Sequence, residues 1–183
     1  MTAARRRQAK RKASEPRWLL LLHQIPRQPD YLRVKIWRRL QRLGAVPIKN
    51  AVYALPRSEQ RNEDLQWVIR EIVAGGGEAT LVEANLLQGL RDDEVEALFN
   101  RARDRDYEGL VAEIRAAAKL FSRRRKLDDE ARRKLSAELP RLQRRLEEIA
   151  AIDFFRPSSR QTACGLLDQL RQRFQQRRPQ CNV

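Results

Sequence analysis

Four cations recur at helical spacing in the segment "YLRVKIWRRLQRLGA", residues 31–45. On a helical wheel at 100° per residue they fall within about 100° of one another. They are Lys35, Arg38, Arg39 and Arg42. Such a surface neutralises phosphates and releases their counterions, so the predicted chemistry is phosphate binding. The competing interpretation is a solvated face paired with carboxylates. Asp30 alone is available within this helix, which favours phosphate binding.

A second set of cations lies in the first segment, "MTAARRRQAKRKASEP". The set comprises Arg5, Arg6, Arg7, Lys10, Arg11 and Lys12. The segment has no apolar period, so residues 1–16 are predicted to be a disordered basic arm. Two interpretations stay open. The arm either settles on a polyanion or serves only as a solvated tail.

A third basic cluster is "SRRRK", residues 122–126. Its cations are Arg123, Arg124, Arg125 and Lys126. It is interpreted either as a second contact patch or as a solvated linker paired with the nearby acids at 128–130. Guanidinium groups also match oxyanions in planar, bidentate fashion, so a small-oxyanion site is a third interpretation.

Residues for catalysis or metal binding are sparse. His23 follows an apolar run and is predicted to be a half-buried, hydrogen-bonded strand-end residue. Cys164 and Cys181 stand far from other ligands and form no Cys-x-x-Cys pair. The acids at 92–94 begin a predicted helix, where the helix dipole stabilises them. With no nucleophile–base pair and no zinc spacing, we expect no catalytic residues, no metal and no enzyme activity.

The charge is large and uneven. The chain of 183 residues carries a formal net charge of +15 at pH 7. Residues 1–17 and 18–60 are each net +6, residues 61–122 are net −5, and residues 123–183 are net +8. Such an excess predicts anionic partners such as nucleic acid. The apolar run "WLLLL" is too short to span a membrane, and we expect a cytoplasmic protein in a reducing compartment.

The elements that position the first cationic helix follow from periodicity. An apolar strand buried on both faces is predicted at 17–25, and a helix is predicted at 31–43. Two short strands follow within 45–56, then a helix capped by Ser58 and ended by the glycines at 75–77, and a strand at 77–85. The order β-α-β-β-α-β predicts an α+β, ferredoxin-like domain over residues 17–88. Both helices would cover one face of its sheet, leaving the other for a partner, a second copy or the remaining chain.

The remaining chain is predicted to be an α-helical region over residues 89–178. One helix begins near residue 91, with a break expected near 106–109. A second runs from about 128 to 151, where Pro140 predicts a kink or an interruption. A last helix is expected at 159–176.

These segments also carry a family resemblance. "WLLLLHQIPRQPDYLRVKIWRRLQRLGAVPIKNAVYALP", "EDLQWVIREIVAGGGEATLVEA", "RDDEVEALFNRARDRDYEGL" and "RRLEEIAAIDFF" resemble the N-terminal domain of the chromate-resistance regulator family known as ChrB. The resemblance implies a cytoplasmic bacterial protein that binds the promoter DNA of a chromate-efflux operon and responds to chromate. Longer members continue into a C-terminal domain, which we expect to be absent here.

The β-α-β-β-α-β part resembles, more distantly, the Cas2-like domain of CRISPR proteins and of PaaX repressors. That resemblance implies a homodimer. Cas2 nucleases carry a metal-binding aspartate at the end of the first strand, whereas this strand ends in His23 and Gln24. The expected function is therefore a DNA-binding regulator that contacts double-stranded DNA, with chromate as a possible effector and a separately encoded ChrB-like protein as a possible partner. A non-DNA-binding oxyanion sensor or adaptor is the alternative, and a metal-dependent nuclease is less favoured.

Overall fold

Strands and helices alternate in the first part of the chain, in a computed structural model that describes residues 17–28, 30–122 and 129–176. The elements are β1 (Trp18–Gln24), α1 (Asp30–Arg42), β2 (Val46–Lys49), β3 (Val52–Pro56), α2 (Glu59–Ala74) and β4 (Glu78–Ala84). The strand order is β2-β3-β1-β4, and all neighbouring strands are antiparallel. This is the split β-α-β arrangement of a ferredoxin-like domain, so the α+β prediction is confirmed.

The apolar run of β1 occupies a central position in the sheet, between β3 and β4. Leu19 and Leu21 are fully buried on one face. On the alternate face Leu22 and Val82 are each 40% exposed. The prediction of two buried faces therefore fails towards the end of β1. The face of the sheet that carries Leu22 and Val82 is open here, as predicted.

Helices α1 and α2 each bury one apolar stripe. The buried side chains are Leu32, Ile36 and Leu40 in α1, and Leu65, Val68 and Ile72 in α2. The two helices pack against each other, and α2 also packs against β1 and β4. Ser58 caps α2 as predicted, because its Oγ accepts a hydrogen bond from the backbone N–H of Arg61 at 3.2 Å.

The second part of the chain is helical, as expected. It contains α3 (Asp92–Ser122), α4 (Asp129–Ala151) and α5 (Ser159–Gln176). The break predicted near 106–109 is wrong, because α3 is continuous. Tyr107, Leu110 and Ile114 follow one another on one buried stripe, so their packing offsets the poor helix propensity of Gly109.

Helix α4 continues through Pro140, so of the predicted kink or interruption the interruption is wrong and the kink stays a prediction. A proline inside a helix removes one backbone hydrogen bond and costs about 3 kcal/mol or more. Leu139 and Leu142 on either side of it are buried in the core of the second unit. Burial of this apolar row therefore stabilises the helix across the defect.

The chain divides into two compact units after Leu98, inside α3. The first turns of α3 belong to the first unit because they bind the start of β1. Trp18 Nε1 donates to Asp92 Oδ1 at 2.6 Å, and Arg17 forms ion pairs with Asp92 and Glu96. The acids at the start of α3 thus have a structural role, as predicted. In the part of the chain that the structure describes, no helix has the length and apolarity to cross a membrane.

Candidate nucleic-acid interface

Helix α1 presents its cations on a surface that flanks its buried stripe. Leu32, Ile36 and Leu40 are at most 4% exposed and fix the rotation of the helix. The side chain of Lys35 is 60% exposed and that of Arg39 is 42% exposed, and Arg38 and Arg42 are also exposed. We call Lys35, Arg38, Arg39 and Arg42 the α1 basic face. The structure brings these four predicted residues together on one surface.

Two cations of the α1 basic face are paired with a carboxylate of the neighbouring helix. Lys35 Nζ forms an ion pair with Glu71 Oε1, and Arg39 Nη1 donates to Glu71 Oε2 at 3.0 Å. The hydrogen bond from Lys35 lowers the pKa of Glu71 against the opposing effect of burial, and Arg39 lowers it further. Within α1 the sequence offered these cations only Asp30, and their carboxylate partner comes from the neighbouring helix.

The other two cations face solvent. Arg38 and Arg42 form no ion pair with any residue in the described ranges, and Asp30 pairs instead with Arg33 on another side of α1. The two arginines are four residues apart, so they lie one above the other on the helix. They are the cations of the α1 basic face that have no carboxylate partner among the described residues.

Helices α1 and α2 also expose aromatic side chains. Tyr31 is 67% exposed and lies within about 20° of Arg38 and Arg42 on the helical wheel. On α2, Trp67 is 56% exposed and the guanidinium of Arg70 lies 4.7 Å from its ring centroid. Sequence reasoning missed both aromatics. The sequence feature that could have found them is a large aromatic residue at a helix position that the apolar periodicity places towards solvent.

His23 lies at the end of β1, half-buried as predicted. Its ring stacks on Tyr53 with centroids 5.6 Å apart and an interplanar angle of 23°. The prediction that the ring of His23 is hydrogen-bonded is wrong, because neither ring nitrogen has a partner among the described residues. Burial lowers the pKa of the imidazole below its usual value of 6.5.

The other predicted contact residues lie outside the described residues. They are Arg5, Arg6, Arg7, Lys10, Arg11 and Lys12 of the arm, and Arg123, Arg124, Arg125 and Lys126 of the SRRRK cluster. Within residues 17–28, 30–122 and 129–176, no group of three or more His, Cys, Asp or Glu side chains is placed to hold a metal ion.

Comparison with known proteins agrees with the sequence resemblance. The family described as "Protein ChrB, N-terminal" matches residues 33–178. "Protein ChrB" of Cupriavidus metallidurans is 27% identical over 145 residues, which cover 77% of this chain. The match spans 41% of that relative's length. No solved structure matches the chain significantly. Because the family match extends over most of its length, the chain belongs to the ChrB N-terminal family.

Proposed function

We propose that this protein is a cytoplasmic DNA-binding regulator of a chromate-resistance operon. Membership in the ChrB family supports a regulatory role connected with chromate resistance. The observation that carries the DNA-binding part is the pair Arg38 and Arg42. These side chains are exposed and lack a carboxylate partner in the described part of the chain, on a helix fixed by its buried stripe.

In this proposal Arg38 and Arg42 contact phosphates of double-stranded DNA. Phosphate contacts supply affinity and orientation but no choice of sequence. Lys35 and Arg39 contribute less while both pair with Glu71, whose single negative charge offsets one of their two positive charges. The arm and the SRRRK cluster are proposed as further phosphate contacts because of their charge.

The proposal includes three further partners and no enzymatic step. Chromate is the effector that the family resemblance implies. A second copy of the chain is proposed as the dimer partner, because Leu22 and Val82 leave apolar surface on the open face of the sheet. A separately encoded ChrB-like protein is the third partner. Incubation with DNA and Mg²⁺ is expected to leave the DNA uncut, and cleavage would reject the non-enzymatic role.

The first experiment measures binding of the purified protein to its own upstream DNA and to a scrambled duplex across a salt series. Preference for the upstream DNA at physiological salt, weakened by added chromate, supports the regulator. Equal affinity for both duplexes, falling steeply with salt, would mean that the charge supplies only nonspecific attraction.

A matched pair of variants tests the α1 basic face. Replacement of Arg38 and Arg42 by alanine should weaken duplex binding and reduce the salt slope by about 2, one for each lost phosphate contact. The control replaces Arg105 and Arg115, two exposed arginines of α3, and removes the same charge. If both variants weaken binding equally, net charge and not the α1 basic face accounts for the affinity.

A further inference from the structure

A cavity of about 390 Å³ lies between α1, the end of β1 and the β2–β3 hairpin. Its volume falls within the range of small-molecule sites, roughly 300–1,000 Å³. Ile36 and Leu40 supply apolar lining, and His23, Tyr53, Arg33 and Trp37 supply aromatic and polar lining. This combination of apolar walls with a few polar groups is typical of ligand sites.

The ring of His23 is the unexplained feature of the cavity. Both of its nitrogens are buried and lack a hydrogen-bond partner in the described part of the chain. Buried polar side-chain atoms are nearly always hydrogen-bonded. Because burial lowers the pKa of this imidazole, the ring is neutral near pH 7 and offers one donor and one acceptor. The two ring nitrogens point away from each other, so a polar group of a ligand would satisfy one of them.

The cavity also offers flat surfaces for stacking. His23 and Tyr53 stack on each other and form one aromatic wall. Trp37 contributes to the lining and is 52% exposed, so its indole is open to a ligand. Stacking on aromatic side chains suits any nucleobase, because every base has a π-face.

A cation lies beside these rings. Arg33 pairs with Asp30, but the two side chains are 51% and 78% exposed. Such surface pairs are weak, so an anionic group of a ligand can compete for the guanidinium. The charge of +15 further favours a ligand that carries phosphate.

We propose that this cavity binds the base of a nucleotide. The base stacks on Trp37, its polar edge hydrogen-bonds to His23, and its phosphate lies near Arg33. The base comes either from a free mononucleotide or from an unpaired position in a nucleic-acid strand. The site is separate from the α1 basic face, because Trp37 lies about 100° from Arg38 on the helical wheel.

Calorimetric titration tests the proposal with three probes: the four nucleoside monophosphates, an eight-nucleotide single strand and a duplex. The variant Trp37→Ala should weaken binding of the base roughly fivefold to a hundredfold, the range for one base stacked on an aromatic side chain. Trp67→Ala is the matched control, because Trp67 is 56% exposed and does not line the cavity. It should leave that affinity within about twofold of wild type.

The variant His23→Leu separates ligand binding from folding. It removes both ring nitrogens but keeps an apolar side chain, so it should fold at least as stably as wild type while losing affinity for the base. Circular dichroism checks the fold of each variant. If Trp37→Ala does not fold, His23→Leu decides the outcome. Loss of base binding in this variant supports the proposal, and retained binding overturns it.

The probes distinguish the two sources of the base. Saturable binding of a monophosphate assigns a free nucleotide, whereas binding of the single strand alone assigns a base within a strand. Failure of both, or equal effects of Trp37→Ala and Trp67→Ala, overturns the proposal. Replacement of Arg38 and Arg42 by alanine should weaken duplex binding without changing monophosphate binding, so failure of one function is distinguishable from failure of the other.

Discussion

The variant Glu71→Gln tests how the charge of the α1 basic face is balanced. Glu71 is an anion with a 15% exposed side chain that pairs with both Lys35 and Arg39. Glutamine keeps the shape of the side chain but removes its charge. The two cations then become available for phosphates, in addition to Arg38 and Arg42, so DNA binding should become tighter.

The size of the effect follows from counterion release. Two phosphate contacts by Arg38 and Arg42 contribute about −1.8 to the slope of log K against log salt, and four contacts by the α1 basic face contribute about −3.6. Glu71→Gln should therefore steepen the measured slope by up to about 1.8. The gain in affinity over wild type then grows by up to roughly 60-fold for each tenfold dilution of salt.

Fluorescence anisotropy with a labelled duplex measures this slope between low and physiological salt. Glu63→Gln is the control, because Glu63 is an exposed residue of α2 without an ion pair to any described residue and its replacement changes net charge equally. An unchanged slope in Glu71→Gln, or an equal change in both variants, would refute the reasoning. Lys35 and Arg39 would then not reach phosphates even when they are freed.

Three further predictions concern stability and are measured by urea unfolding. At pH 7, Glu71→Gln should lower the free energy of unfolding by about 1 kcal/mol, because it removes two partly exposed ion pairs. Because the pKa of Glu71 is lowered in the folded state, this stability difference is fully present above pH 4.5, the ordinary pKa of a glutamate. It disappears as the pH falls through the folded-state pKa of Glu71. A stability difference that persists in acid contradicts the pairing of Glu71 with the two cations. Tyr107→Phe removes the hydroxyl that donates to Asp153 Oδ2 at 3.0 Å, and the Asp153 side chain has no exposed surface. The variant should lower the free energy of unfolding by about 1–3 kcal/mol. An unchanged unfolding midpoint would show that other contacts satisfy the carboxylate. Pro140→Ala restores a backbone donor at an exposed position of α4 and should stabilise the protein by up to about 3 kcal/mol, whereas a lower midpoint would show that the helix needs the proline.

Much of the fold was predictable because its elements are amphipathic. The alternation of short apolar strands with helical stripes predicted β1 to β4, α1 and α2 in order, and Ser58 and the glycines at 75–77 predicted the ends of α2. The continuity of α3 was not predictable from local signals. Asp106 and Gly109 disfavour a helix locally, and the burial of Tyr107 and Leu110 outweighs them.

The candidate site, like the fold, has features that local sequence predicts and features that depend on packing. The spacing of Lys35, Arg38, Arg39 and Arg42 was enough to place all four on one side of α1. Which of them is neutralised depends on α2, because Glu71 lies 32 positions after Arg39 and meets it only when the helices pack. The unpartnered ring of His23 is likewise a property of the packed cavity and not of any motif.

The amino-acid sequence by itself determined the net charge, the periodicity of the helices and strands, and the family. Net charge depends on residue types alone, periodicity depends on spacing within one element, and the family depends on the order of residues along the chain. Only the tertiary structure decided that Arg38 and Arg42 are open to an anion while Lys35 and Arg39 are held by Glu71. An ion pair between two helices depends on the rotation of each about its axis. That rotation is set by the burial of both apolar stripes together.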